Sequence, residues 1–443
     1  MTESKIHWKE VSPGNWARDF DPVEKTLNLL TFGSPLLIQY IISIGAVLPE
    51  KRSLEEVKDA WAALRYFHPV IGCTITTTGF EYQVPTEEGI RKWVEDTVVV
   101  DNSGKPGREL LLSAVAPKNG ASELHFMPDR NEICLLLRHE VVDGIGSLIL
   151  LNQYLKMLRQ GTKVSKFGDE PALLTPSITE ILKAEEPSAA AIEEAHRIRD
   201  NYTKKRAIGL KTKPLDPAAP VTFQQVEHEF SEAETSAIIR ACKERGITVI
   251  HATNAAMALA ILENSGETSG NYCGVGPVSM RDLLPAPYNT PEGGVGNLIT
   301  AIFPMLEVST SSEFLDLAEQ ISELYSWWKY KPDNVQCISA LPDLLAEGFA
   351  MAAALGIEVP ATVATISLGI IEKHVTEPVQ DFWFNLGFSV STSAMYVYTS
   401  KGRLRFALCY SSAFHDTKGM EGVVDRTVHY LNRGLALKGV LDH

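Results

Sequence analysis

Apolar and polar positions along the chain follow two periodicities, and each change of period marks an element. Leu36 to Ile44 is an uncharged, apolar run that matches a buried strand. The wider stretch from Thr26 to Pro49 is long enough to cross a bilayer, but Gly33, Pro35, Gln39 and Gly45 interrupt it, which favours the strand. Ser53-Leu54-Glu55-Glu56 then has capping-box spacing, and Leu54, Val57, Trp61, Leu64 and Phe67 follow at helical intervals. His68-Pro69 ends that helix, because proline disfavours helical geometry in the residue before it. Val70 to Thr76 reads as a strand, with Phe80 to Val84 as its hairpin partner across Gly79. Glu132 to Arg138 reads as a strand buried on both faces. From Ser147 a helix is predicted, with Leu148, Leu151, Leu155 and Leu158 on one side and Gly161 past its end.

Between Pro187 and Pro220 the large apolar residues thin out and alanine, charge, lysine and proline take over, which places a connection there. The expected organisation is a first domain over 1–190, a crossover linker over 191–221 and a second domain over 222–443. In the second part, Ser231-Glu232-Ala233-Glu234 starts a helix that Gly246 ends, and Val249 to Leu262 forms an alanine-rich helix beside it. Strands are predicted at Tyr272 to Ser279, Leu298 to Val308, Thr362 to Ile371 and Phe382 to Val390. Helices are predicted near Ser312 to Trp328 and Leu341 to Leu355. A hairpin, Met395 to Thr399 and Leu404 to Tyr410 around Lys401-Gly402, precedes a last helix over Gly422 to Arg433. Both halves therefore mix strands and helices, an α/β pattern.

Length and composition agree with two domains. A chain of 443 residues exceeds the size at which one core keeps growing, and 45% apolar with 22% charged residues is an ordinary globular mixture. The net charge of -14 opposes nucleic acid and anionic membrane surfaces. Cys73, Cys134, Cys242, Cys273, Cys337 and Cys409 are scattered without a CxxC pair, so they read as reduced thiols. Met1 to Glu10 lacks a basic stretch followed by an apolar core, from which a cytoplasmic location is expected.

The candidate chemistry lies between the second buried strand and its helix, in His139-Glu140-Val141-Val142-Asp143-Gly144. An imidazole at a strand end titrates near working pH and can take a proton from a hydroxyl or amine that attacks a carbonyl. The carboxylate of Asp143 is placed to pin the turn, and Gly144 permits its tight geometry. Taken alone, the string also suits a hydrogen-bonded structural histidine. No GxSxG elbow, HExxH pair or complete dinucleotide-binding glycine loop is present, and no metal is expected.

Several ordered segments carry a resemblance. Leu64 to Val70, His139 to Gly144, Pro277-Val278-Ser279-Met280-Arg281 and Gly294-Val295-Gly296-Asn297 are similar to segments of the superfamily of chloramphenicol acetyltransferase, the plant and fungal BAHD acyltransferases and the condensation domains of peptide synthetases. Ser367-Leu368-Gly369 and Tyr410 to His415 resemble late segments of fungal secondary-metabolite O-acyltransferases, including those acting on trichothecenes. The resemblance implies two chloramphenicol-acetyltransferase-like domains, each a mixed sheet flanked by helices, with a tunnel between them. It also implies His139 as general base, acyl-CoA as cosubstrate with no tightly bound cofactor, a small-molecule alcohol as acceptor, and a salt bridge from Asp143 to Arg281. A monomer without stable membrane insertion is expected.

Two positions depart from that pattern. Arg138 stands where many condensation domains have a first histidine, and Asp381-Phe382-Trp383-Phe384-Asn385 keeps only two residues of the plant-type Asp-Phe-Gly-Trp-Gly segment. A carrier-protein thioester therefore stays open as donor, for amide formation or ring closure, and so does a non-catalytic binding protein on the same fold. Ser367, Asn385 and Tyr410 are candidate wall residues of the substrate site, and Trp383 with Phe384 a candidate apolar floor. Lys204 to Lys213 is the candidate rim for CoA phosphates, or a solvated linker face.

Overall fold

The structure is a computed structural model. It describes residues 6–32, 40–113, 116–118, 120–183, 187–204, 207–216, 218–330, 336–337, 339–341, 343–345, 347–348, 361–387 and 390–437. The chain forms two compact units, one of residues 1–184, 279–299 and 372–389, the other of residues 185–278, 300–371 and 390–443. It leaves the first unit close to the expected linker, but it returns twice, which a split into contiguous halves does not include.

The first unit contains helix α1 (Pro22–Phe32), strand β1 (Ile41–Val47), helix α2 (Leu54–Phe67), strands β2 (Val98–Val100), β3 (Ser122–Met127) and β4 (Glu132–Arg138), helix α3 (Gly144–Gln160) and strand β5 (Asp381–Gly387). The strands form one sheet in the order β5-β1-β4-β3-β2, antiparallel except for the parallel pair of β2 and β3. Every residue of β4 is buried, which is why its interior, Ile133 to Leu137, is apolar without alternation. Ser53 caps α2 with Glu56 as its reciprocal partner, as the spacing predicts. The uncharged run from Thr26 to Pro49 divides into the end of α1 and strand β1; residues 33–39, which hold the expected start of the strand at Leu36, lie outside the described residues.

One local expectation is corrected. Val70 to Thr76 is not one strand: Pro69–Gly72 forms a 3-10 turn, and only Thr74–Ile75 pairs with Gly79–Gln83. Pro69 supplies the fixed φ that starts such a turn. The stretch assigned as the connection begins in a helix, Ala189–Lys204, in which Ala191, Ala195 and Ile198 recur at helical spacing and are buried.

In the second unit, Phe223–Glu229, Arg403–Ser411, Ser393–Ser400 and Val363–Ile370 form a four-stranded mixed sheet in that order. A three-stranded sheet of Met305–Ser309, Ser269–Cys273 and Ala207–Ile208 accompanies it. The run Tyr272 to Ser279 is broken at Gly274-Val275 between two strands. The helix Val249–Ser265 supplies much of this unit's core, with Ala252, Ala255, Ala256, Ala258 and Ala260 fully buried. Part of the helix expected over Leu341 to Leu355 lies outside the described residues. Among the described residues no single helix is long and apolar enough to cross a membrane.

Candidate active site

His139 directly follows β4. Its main-chain N–H donates to the Tyr40 carbonyl at 2.9 Å, and its own carbonyl accepts from the side-chain amide of Asn297. The imidazole is 8% exposed and lies 5.2 Å from the Tyr40 ring. Nδ1 is buried and meets no hydrogen-bond partner. Burial pushes the imidazole below its ordinary pKa, and that effect outweighs the support of the backbone and of the Asp143 and Glu140 charges. His139 is thus held neutral. Glu140, fully buried, is paired by Arg138, and Asn28 of α1 donates to it at 3.4 Å.

Asp143 does not touch the imidazole, because both of its carboxylate oxygens are committed elsewhere. Oδ1 accepts from the Gly146 N–H at 2.7 Å, which makes Asp143 the N-cap of α3. Oδ2 accepts from the Leu298 N–H at 2.7 Å and from Arg281 Nη1 at 3.0 Å. Arg281 in turn donates to the carbonyls of Gly294 and Gly296 and to the Ser279 hydroxyl. All its donor groups are used, so it holds structure and has none left for a ligand. The pair lies within one unit, because residues 279–299 belong with the first unit although they follow the linker in sequence.

The expected start of α3 at Ser147 moves three residues earlier, to Gly144. Gly144 and Gly146 read as loop in the sequence, yet the structure uses Gly146 for close approach. A Cβ there would come within 2.6 Å of Val142 Cγ2 and 3.0 Å of both Arg281 Nη2 and the Gly296 carbonyl. Gly146→Ala is expected to destabilise the protein by about 1–3 kcal/mol, as overpacking does. Urea melts of the purified variant check this, and a midpoint equal to that of the parent would contradict it.

The remaining candidates lie each within its own unit. Trp383 lies in β5 opposite Gly45, buried among Leu111, Met127 and Cys134, and its indole N–H donates to Glu132 Oε1 at 2.8 Å. This is a packed core position: the ring fills the space that Gly45 leaves open. Asn385 lies on the same strand opposite Ser43, buried, with its Oδ1 accepting from the Leu386 N–H. Ser367 and Tyr410 belong to the second unit. Ser367 is exposed beside a bulge that separates it from Gly369. Tyr410 is in that unit's core, with its hydroxyl 2.9 Å from Thr417 Oγ1. Lys211 and Lys213 are exposed, whereas Lys205 and Arg206 lie outside the described residues.

Sequence reasoning named no role for Asn297, Tyr40 or Gly146. The only available signal was Gly294-Val295-Gly296-Asn297, a glycine-rich string that suggested a close main-chain approach without showing what it approaches.

Residues 219–324 match the family model described as the phthiocerol/phthiodiolone dimycocerosyl transferase C-terminus. The chain is 25% identical to the O-acetyltransferase pigM of Monascus ruber over 92% of its own length and 83% of that protein's. It is 23% identical to the acetyltransferase pigO of the same organism, covering 97% of this chain and 98% of the relative. Among solved structures, the TRI3 trichothecene 15-O-acetyltransferase of Fusarium sporotrichioides superimposes with a TM-score of 0.80 at 19% identity, over 97% of this chain and 98% of that one. The epimerization domain from the third module of tyrocidine synthetase B superimposes with a TM-score of 0.62 at 12% identity, over 98% and 99%.

Proposed function

With the chain a homologue of fungal secondary-metabolite acetyltransferases, built on the fold shared with peptide-synthetase condensation-type domains, we propose that it is an O-acyltransferase. It moves an acetyl or other short acyl group from acyl-CoA to a hydroxyl of a secondary metabolite, with His139 as general base. The observation that carries this reading is the His139 imidazole itself: buried, kept neutral, and held at the end of β4 by main-chain bonds on both of its peptide groups.

The step follows from that placement. Nε2 takes the proton of the acceptor hydroxyl as its oxygen attacks the thioester carbonyl carbon. The tetrahedral intermediate collapses with cleavage of the carbon–sulfur bond, and the departing thiolate recovers the proton from the imidazolium. Asp143 and Arg281 touch no reacting atom in this scheme; they hold the turn and the start of α3. The direct test is release of free CoA from acetyl-CoA in the presence of alcohol and phenol acceptors, with the ester identified by mass. Absence of ester across acyl-CoAs of several chain lengths would overturn the reading.

The pH dependence has a defined sign. The base must be neutral, and burial holds His139 below the ordinary histidine value of 6.5, so the acid limb of the kcat/KM profile is expected to have its midpoint below 6.5. The unfolded chain takes up that proton more readily than the folded one, so His139 makes stability fall as pH drops through 6.5 towards the folded value. A pH–rate profile over this range, recorded where the protein stays folded, checks the first statement; an acid limb centred above 6.5 would contradict it.

A further inference from the structure

We propose that Thr175 is a positioning residue for acyl transfer: its hydroxyl pins the Val295 carbonyl and so braces, from outside the motif, the loop Gly294-Val295-Gly296-Asn297 that holds the His139 turn. The inference rests on His139 being the base, and it adds what keeps the turn around that base in place. Thr175, the loop and the motif all belong to the first unit.

Three successive carbonyls of the loop are held, and the holders differ. The Gly294 carbonyl accepts from Arg281 Nε and Nη2, and the Gly296 carbonyl accepts from the Asp143 N–H and Arg281 Nη2. Those bonds all come from the residues of the buried ion pair. Between them stands the Val295 carbonyl, which accepts from Thr175 Oγ1 at 3.0 Å. A carbonyl only accepts, so the threonine hydroxyl is the donor. That peptide group needs an anchor, because it joins Val295 to Gly296, whose φ of +149° lies in the range that favours glycine and whose backbone has no side chain to restrain it. Next come Asn297, whose amide holds the His139 carbonyl, and Leu298, whose N–H meets Asp143 Oδ2. Rotation of the Val295–Gly296 peptide would displace both contacts.

Thr175 meets the loop with its methyl as well as its hydroxyl. A Cβ on Gly296 would come within 2.9 Å of Thr175 Cγ2, so the methyl covers the bare side of that glycine. The brace is itself fixed. The Thr175 carbonyl accepts from the Trp8 indole N–H at 2.9 Å, and Pro176 restricts the backbone of Thr175 to extended geometry. Three residues further on, the Ile178 N–H donates to the fully buried Asp21 carboxylate. One neutral hydrogen bond adds modestly to stability, whereas a displacement of about 1 Å at a reacting group can cost about 10²-fold in rate. Loss of the hydroxyl is therefore expected to show in the rate while the protein stays folded.

The experiment compares two variants of the full chain. Thr175→Val keeps the methyl and the shape but removes the donor; Thr175→Ser keeps the donor and removes the methyl. With acetyl-CoA and an alcohol that the parent acylates, Thr175→Val is expected to lower kcat by about tenfold with KM little changed, and Thr175→Ser to keep most of it. Hydrogen exchange, which needs no substrate, is expected to quicken at the Asp143 and Leu298 main-chain amides in Thr175→Val and to match the parent in Thr175→Ser. Parent-like exchange or parent-like kcat in folded Thr175→Val would overturn the proposal. So would an equal loss in Thr175→Ser, which assigns the effect to the methyl. A parent protein without acyl transfer would count against the acyltransferase reading instead, and exchange alone would then decide whether Thr175 braces the loop.

Discussion

His139→Ala is expected to lower the rate of acyl transfer by about 10²–10⁴-fold, the contribution usual for a positioned general base, while leaving the protein folded. The imidazole Nδ1 meets no hydrogen-bond partner, so removal of the ring orphans no buried group there. The bonds that hold the turn are main-chain bonds of His139, which alanine keeps. The expected signature is a loss of kcat with an unchanged thermal midpoint. Free CoA release at the parent rate from the alanine variant, with ester still formed, would remove His139 from the chemistry.

Legibility of the sequence differed by element, for physical reasons. β4 is plain in the sequence because Ile133 to Leu137, buried on both faces, form an apolar run without alternation between Glu132 and Arg138. The start of α3 was misplaced because two glycines look like loop; the cap that makes them helical is Asp143, whose role becomes visible once its oxygens are seen to meet Gly146 and Leu298. Pro69 and Gly72 turned an apparently strand-like run into a 3-10 turn, since periodicity over so few residues does not separate the two.

The site was legible in its first member and not in its setting. Trp383 is only a candidate pocket floor in the sequence, because an aromatic in a strand looks the same whether its partner is a ligand or the chain. Its indole N–H satisfies Glu132, a buried carboxylate 251 positions away, and no local pattern announces such a need. Arg281 was named through resemblance; that it belongs to the same unit as Asp143 depends on the chain returning there after residue 278.

Arg281→Met is expected to destabilise the protein by about 3–5 kcal/mol, the cost of leaving one member of a buried ion pair uncompensated. Arg281 is 7% exposed and Asp143 1%, so little water is available to replace the guanidinium. The carbonyls of Gly294 and Gly296 lose a donor in the same substitution. Replacing both members of a buried pair by apolar residues is often neutral, but here it is not expected to restore stability. The Gly146 and Leu298 N–H groups would still lose the carboxylate that satisfies them. Asp143→Leu combined with Arg281→Met should therefore remain well below the parent in urea denaturation. Asp143→Asn should be less severe than Asp143→Leu, because one amide oxygen still accepts from a main-chain N–H, although the amide nitrogen must then face a second donor. Residual acyl transfer per folded molecule separates these variants from His139→Ala: the ion-pair variants lose stability first and rate through loosened geometry, whereas the alanine variant loses rate alone. A parent-like urea midpoint for Arg281→Met would show that the pair does not hold the turn.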